Sequence, residues 1–156
     1  MKRLLIAALF LTIPVSAFAQ TAKKKFDPAE DINKPRADAR KVQFTVSEGT
    51  WMSVDLSPDG TTLLFDLLGD IYTMPVAGGK ATAITRGPAF DWHPRYAPDG
   101  KWIAFTTDRN GIDNLWLMDV DGKNPRSLTA EKDEYVRSGM WSPDGNYLVA
   151  RKETGK

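Results

Sequence analysis

The chain has 156 residues, 42% of them hydrophobic and 26% charged, with a formal net charge of +1. That balance belongs to a folded protein rather than a disordered one, and near-neutrality gives no electrostatic ground for a nucleic-acid partner. The absence of cysteine excludes disulfides and thiol catalysis, and a single histidine leaves little support for a Ser-His nucleophile system.

The chain opens with Lys2 and Arg3, an almost unbroken apolar run from Leu4 to Val15, and the small-x-small signal Ala17-Phe18-Ala19. This is the pattern of a secretory signal peptide over residues 1–19. The run falls short of the roughly 20 apolar residues a membrane span requires. The expectation is therefore a periplasmic or secreted bacterial protein with no stable membrane anchor after signal cleavage. No cysteine follows to carry a lipid, and loss of Lys2 and Arg3 turns the net charge from +1 to −1.

Residues 20–39 read as a flexible N-terminal arm: Lys23-Lys24-Lys25, Pro28 and Pro35 fit neither the helical nor the strand period. Lys41 to Val46 then alternates, with Val42, Phe44 and Val46 on one side, which predicts a leading strand. Trp51 to Leu56, Thr62 to Leu67, Ile71 to Val76 and Ala81 to Thr85 follow as four strands separated by turn residues. A Pro-Asp-Gly turn ends the first of them at Ser57-Pro58-Asp59-Gly60, and it recurs at Ala97-Pro98-Asp99-Gly100 and Ser142-Pro143-Asp144-Gly145. Proline presets the first central φ, Asp bonds its own backbone and Gly takes the left-handed position.

These turns mark a repeat. Asp70 to Thr85 lies on Asn114 to Thr129 without a gap, pairing Ile71 with Leu115, Tyr72 with Trp116, Met74 with Met118 and Gly78 with Gly122. Leu63, Ile103 and Leu148 occupy one shared position after the turn glycine. A period of about 40 to 45 residues, with four short strands per unit and middle strands apolar on both faces, is that of β-propeller blades. The predicted class is all-β: a partial propeller with blades at about 50–86 and 90–130, a partial blade over 135–156, and the leading strand before them. Two blades and a half are fewer than the roughly four a propeller needs to close. We therefore expect the front portion of a longer propeller, with open blade faces and unpaired edges.

Candidates for chemistry are few. Asp119-Val120-Asp121-Gly122 has its glycine too early for an EF-hand loop and Ala130 where the bidentate Glu would stand, so it reads as a turn. The five tryptophans, Trp51, Trp92, Trp102, Trp116 and Trp141, read as wedges between blades. The second unit carries four extra residues around Arg109-Asn110-Gly111, and the enlarged loop with Asn110, Gly111, Asp113 and Asn114 is the candidate binding loop. His93, on the first strand of the second blade, is expected to pack or hydrogen-bond there, with a channel-facing contact as the alternative.

Trp141-Ser142-Pro143-Asp144-Gly145, Trp116-Leu117-Met118-Asp119-Val120-Asp121-Gly122 and Leu128-Thr129 resemble the WD-like propeller repeat of the TolB family. The stretch from Glu48 through Asp55, together with Asp66 to Tyr72, is similar to the opening blade of secreted bacterial proteins in which such a propeller precedes an amidohydrolase domain. That resemblance implies a metal-dependent catalytic domain with a His-x-His pair beyond Lys156, and no cofactor or catalytic residue within this chain. The partner would then be the missing catalytic domain. The other implication is a TolB-like propeller that binds envelope proteins and catalyses nothing.

Overall fold

The computed structural model describes residue 40 and residues 42–154; the expected signal peptide over 1–19 and the expected N-terminal arm over 20–39 lie outside the described residues. Three antiparallel sheets follow one another along the chain. The first holds β1 (Val54–Leu56), β2 (Thr62–Leu67), β3 (Asp70–Pro75) and β4 (Thr82–Ala83) in sequence order. β5 (Asp91–Tyr96), β6 (Trp102–Thr107), β7 (Asn114–Asp119) and β8 (Arg126–Ser127) repeat that order in the second. The third contains β9 (Glu134–Trp141) and β10 (Leu148–Thr154). The chain is thus all-β, two four-stranded blades and the beginning of another, as the repeat predicts.

The blades stack through their middle strands. Leu64, Ile71, Tyr96, Ile103, Phe105 and Met118 form one buried cluster, with Ile84 and Trp116 packed against it. Burying each such side chain contributes about 1.5–3 kcal/mol, which explains why β2, β6 and β7 carry apolar residues on both faces. Each blade is closed by a threonine on the connection that leaves its last strand. Thr85 Oγ1 accepts the Ile71 amide at 2.8 Å, and Thr129 Oγ1 accepts the Leu115 amide at 3.0 Å. The neighbouring backbone bonds from Ile84 N to Ile71 O and from Leu128 N to Leu115 O are both 2.8 Å, so the repeat seen in sequence holds at the level of hydrogen bonds.

Turn chemistry follows the residues. Gly60 has φ 73° and donates its amide to Ser57 O at 2.8 Å. Asp59 Oδ1 accepts the Ser57 hydroxyl and the Thr61 amide, and Asp144 Oδ1 accepts from Ser142 and Asn146 in the same way. These donors, the serine hydroxyl first, hold both carboxyls below the ordinary Asp value.

Three expectations are corrected. Residues 42–46 join no sheet, although their alternation predicts a strand, and Val42, Phe44 and Val46 are exposed. A strand has no internal hydrogen bonds and forms only against an edge, and no described edge pairs with it. The first blade strand begins at Val54 rather than Trp51, because Trp51 sits at φ 58° and breaks the extended run. Trp51 is also fully exposed at 101% rather than wedged between blades. β10 runs from Leu148 to Thr154, within the expected partial blade, and its register against β9 shifts between Val149 and Arg151.

Candidate functional sites at the blade junctions

The first strands of the second and third sheets share a device. Pairing of β5 with β6 shifts register between Trp92 and Arg95. Within that bulge His93 adopts φ 50°, and Ser138 on β9 takes φ 57°. The left-handed turn aims each residue's amide at the preceding blade: His93 N donates to Asp66 Oδ2 at 2.7 Å, and Ser138 N donates to Thr106 Oγ1 at 3.2 Å. Asp66 and Thr106 occupy the same position of β2 and β6, each a buried polar residue directly after a phenylalanine. The buried Asp66 carboxylate also accepts the Ser53 amide at 2.8 Å, so both oxygens are used. A second tie, Tyr96 N to Asp55 Oδ2 at 2.8 Å, joins the same two blades.

His93 Nδ1 and Ser138 Oγ are 3.0 Å apart, and the imidazole stacks on Trp92 with centroids 4.2 Å apart. Burial pushes the imidazole pKa below its usual 6.5; Asp66 opposes this, while Arg95, Arg151 and Arg137 reinforce it. The ring is held neutral, with one nitrogen to donate and one to accept. His93 therefore sits at a junction of three blades, hydrogen-bonded and packed.

The loop residues divide into two pairs. Asn110 and Gly111 are exposed: the Asn110 amide reaches Ser127 Oγ at 3.4 Å, and the Gly111 amide closes a turn onto Asp108 O at 2.7 Å. Asp113 and Asn114 face inward. Asp113 accepts Arg137 Nε at 2.5 Å, and its carbonyl accepts the Val136 amide at 2.9 Å, tying the second blade to the third. Asn114 is fully buried; Nδ2 donates to Glu131 O and Ile112 O, while Oδ1 accepts the Thr129 hydroxyl and the Glu131 amide. The amide's hydrogen-bonding capacity is all used, three bonds holding the chain that leaves β8 and one fixing the loop that enters β7 at Ile112.

The sequence reading missed a buried ion pair. Arg109 forks onto Asp91, with Nε 3.1 Å from Oδ1 and Nη2 2.5 Å from Oδ2, and its guanidinium lies 5.8 Å from the Phe105 and Trp116 ring centres. Such a bidentate, stacked pair suits arginine in particular. Neither residue lies in a motif, so nothing local in the sequence announced it. Asp70 was missed too. It stands where the second blade has Asn114, yet its Oδ1 is buried without a partner, and burial followed by the Asp91 charge raises its pKa above the ordinary 3.8. Among the described residues, no group of three or more His, Cys, Asp or Glu side chains is placed to hold a metal ion.

Residues 31–156 match the TolB beta propeller domain family. A protein of Agrobacterium fabrum is 36% identical over 101 residues, a match covering 60% of this chain and 33% of that protein. Tricorn protease homolog 1 of Streptomyces coelicolor is 29% identical over 92 residues, covering 59% of this chain and 9% of the other. The crystal structure of TolB from Acinetobacter baumannii superposes with a TM-score of 0.58 at 30% identity, over 68% of this chain and 27% of that one. The chain thus spans a third or less of the length of these relatives. With its family match, its repeated blades and their threonine closures, this chain belongs to the TolB beta propeller domain family.

Proposed function

We propose that the chain is the propeller module of a larger bacterial envelope or secreted protein, and that it positions or gates substrate for a metal-dependent amidohydrolase-type domain outside this sequence. The observation that carries the reading is how the polar side chains are used. Asp66, His93, Asp113, Asn114 and Ser138 are all hydrogen-bonded to another blade or to a connection between blades, which is the work of a scaffold. The small share of the protease relative that the chain covers supports a module within something longer. The exposed pair Asn110 and Gly111 is then the part of the enlarged loop free to meet substrate or the catalytic domain.

The likeness to a TolB structure favours a second reading, an envelope propeller that binds proteins and catalyses nothing. One experiment separates them. The full-length natural protein is purified and assayed on a panel of amide and cyclic amide substrates, before and after chelation. Hydrolysis lost with the chelator and restored by a divalent transition metal is the expected result. Complete inactivity, together with retention of envelope proteins on the purified protein, overturns the hydrolase reading in favour of the second.

A further inference from the structure

On the side of the Pro-Asp-Gly turns, a cleft of about 360 Å³ opens between the second and third sheets, lined by Asp99, Trp102, Leu117, Trp141, Asp144 and Asn146 among others. Two indoles and two carboxylates thus face one space, and no cationic side chain lines it. The Asp99 carboxylate is half-exposed; Oδ1 accepts the Lys101 amide at 3.0 Å, and Oδ2 makes only a loose ion pair with Lys101 Nζ at 3.8 Å. Asp144 is bonded within its own turn by neutral donors alone, Ser142 and Asn146.

The equivalent positions one blade earlier differ in the residues that matter. Thr62 stands in place of Trp102, the buried Tyr96 in place of Trp141, and the chain's own Lys101 in place of the neutral Asn146. The two tryptophans are therefore particular to this junction and are not demanded by the repeat, and the blade that follows adds the Asp144 carboxylate with no cation of its own at Asn146. The chemistry that such walls accept is visible beside the cleft, where the Arg126 guanidinium lies 4.2 Å from the Trp102 ring centre. A cation over an indole is stabilised by the ring's electron-rich face, and a carboxylate at the rim adds a charge-assisted hydrogen bond.

We propose that this cleft is a docking site for an arginine side chain of a partner protein, with Trp102 and Trp141 flanking the guanidinium and its stem, and Asp99 and Asp144 supplying the counter-charge. The site is independent of whether the module belongs to a hydrolase. Arginine fits better than lysine because its planar group stacks and forks onto carboxylates, and an indole pair offers a point charge less.

The test uses the full-length protein labelled with 5-fluorotryptophan, the two indoles being assigned by Trp102→Phe and Trp141→Phe. Fluorine spectra follow titration with the tripeptide Gly-Arg-Gly and with Gly-citrulline-Gly, which keeps the shape and loses the charge. Saturable shifts at the Trp102 and Trp141 signals, about tenfold weaker with citrulline, are expected. Asp99→Asn, at an exposed turn, is expected to weaken binding of the arginine peptide severalfold and leave the citrulline response unchanged. Equal responses to both peptides, shifts confined to other indoles, or no saturable shift would each overturn the proposal.

Discussion

His93 Nδ1 and Ser138 Oγ meet at 3.0 Å, each from a left-handed bulge on the first strand of its sheet. The contact completes a chain in which Asp66 takes the His93 amide and Thr106 takes the Ser138 amide, so three sheets are joined by residues in corresponding positions.

Because burial depresses the His93 pKa below 6.5, its neutral form stabilises the fold. That contribution is complete above the unfolded value of about 6.5 and is lost as the pH falls toward the lower folded value. Of the charged groups acting on the ring, Asp66 favours protonation while Arg95, Arg137 and Arg151 oppose it. Urea midpoints measured from about pH 7.5 down to about pH 5 are expected to fall, and to fall less in His93→Asn, which tolerates the positive φ. Ser138→Ala is expected to cost about 1 kcal/mol at neutral pH.

Thr85→Val and Thr129→Val each leave a β-strand amide without its acceptor, at Ile71 and Leu115. Each is expected to destabilise by about 1–3 kcal/mol in urea unfolding. Thr129→Val is the more costly of the two, because the Thr129 hydroxyl also donates to Asn114 Oδ1.

Gly78 and Gly122 are equivalent in the repeat, with φ 91° and 83°, yet a Cβ at Gly78 would meet open space and one at Gly122 would lie 2.4 Å from Ile84 O. Gly78→Ala carries only the left-handed strain, about 1 kcal/mol. Gly122→Ala must also displace backbone of the preceding blade, so its loss exceeds that of Gly78→Ala; paired melting curves of the two variants check the order.

Asp70 and Asn114 are the corresponding pair of opposite fit. Asp70→Asn removes a charge that burial and Asp91 disfavour, and it is expected to stabilise the protein at neutral pH. With a folded pKa above 3.8, Asp70 favours folding only when protonated, so the gain shrinks as the pH falls through the folded value to below about 3.8. Asn114→Asp withdraws the donors to Ile112 O and Glu131 O and buries a charge, and is expected to destabilise by about 3 kcal/mol or more. Urea titrations of both variants across that range are the check.

The blades were legible because their signals are local and repeated. Pro-Asp-Gly fixes a turn by its own φ preferences, and the sixteen-residue alignment from Asp70 to Thr85 carries both strands and the threonine closure. What failed was non-local. Val42, Phe44 and Val46 alternate like a strand, but pairing depends on an edge supplied from elsewhere. Asp113 and Asn114 looked like loop residues available to a ligand, and their inward bonds to Arg137 and Glu131 depend on how the third sheet and its connection pack. The Asp91–Arg109 pair spans 18 positions with no motif at either end. The cleft between Trp102 and Trp141 arises only when two blades are laid side by side.

The most direct test of the module reading is the intact mass of the native protein, captured from the envelope fraction of the cells that make it with antibodies raised against residues 40–154. A mass well above the 17.3 kDa of this chain, with tryptic peptides that continue past Lys156, is the expected result. An intact mass no greater than 17.3 kDa, with Lys156 as the C-terminal residue, would contradict it.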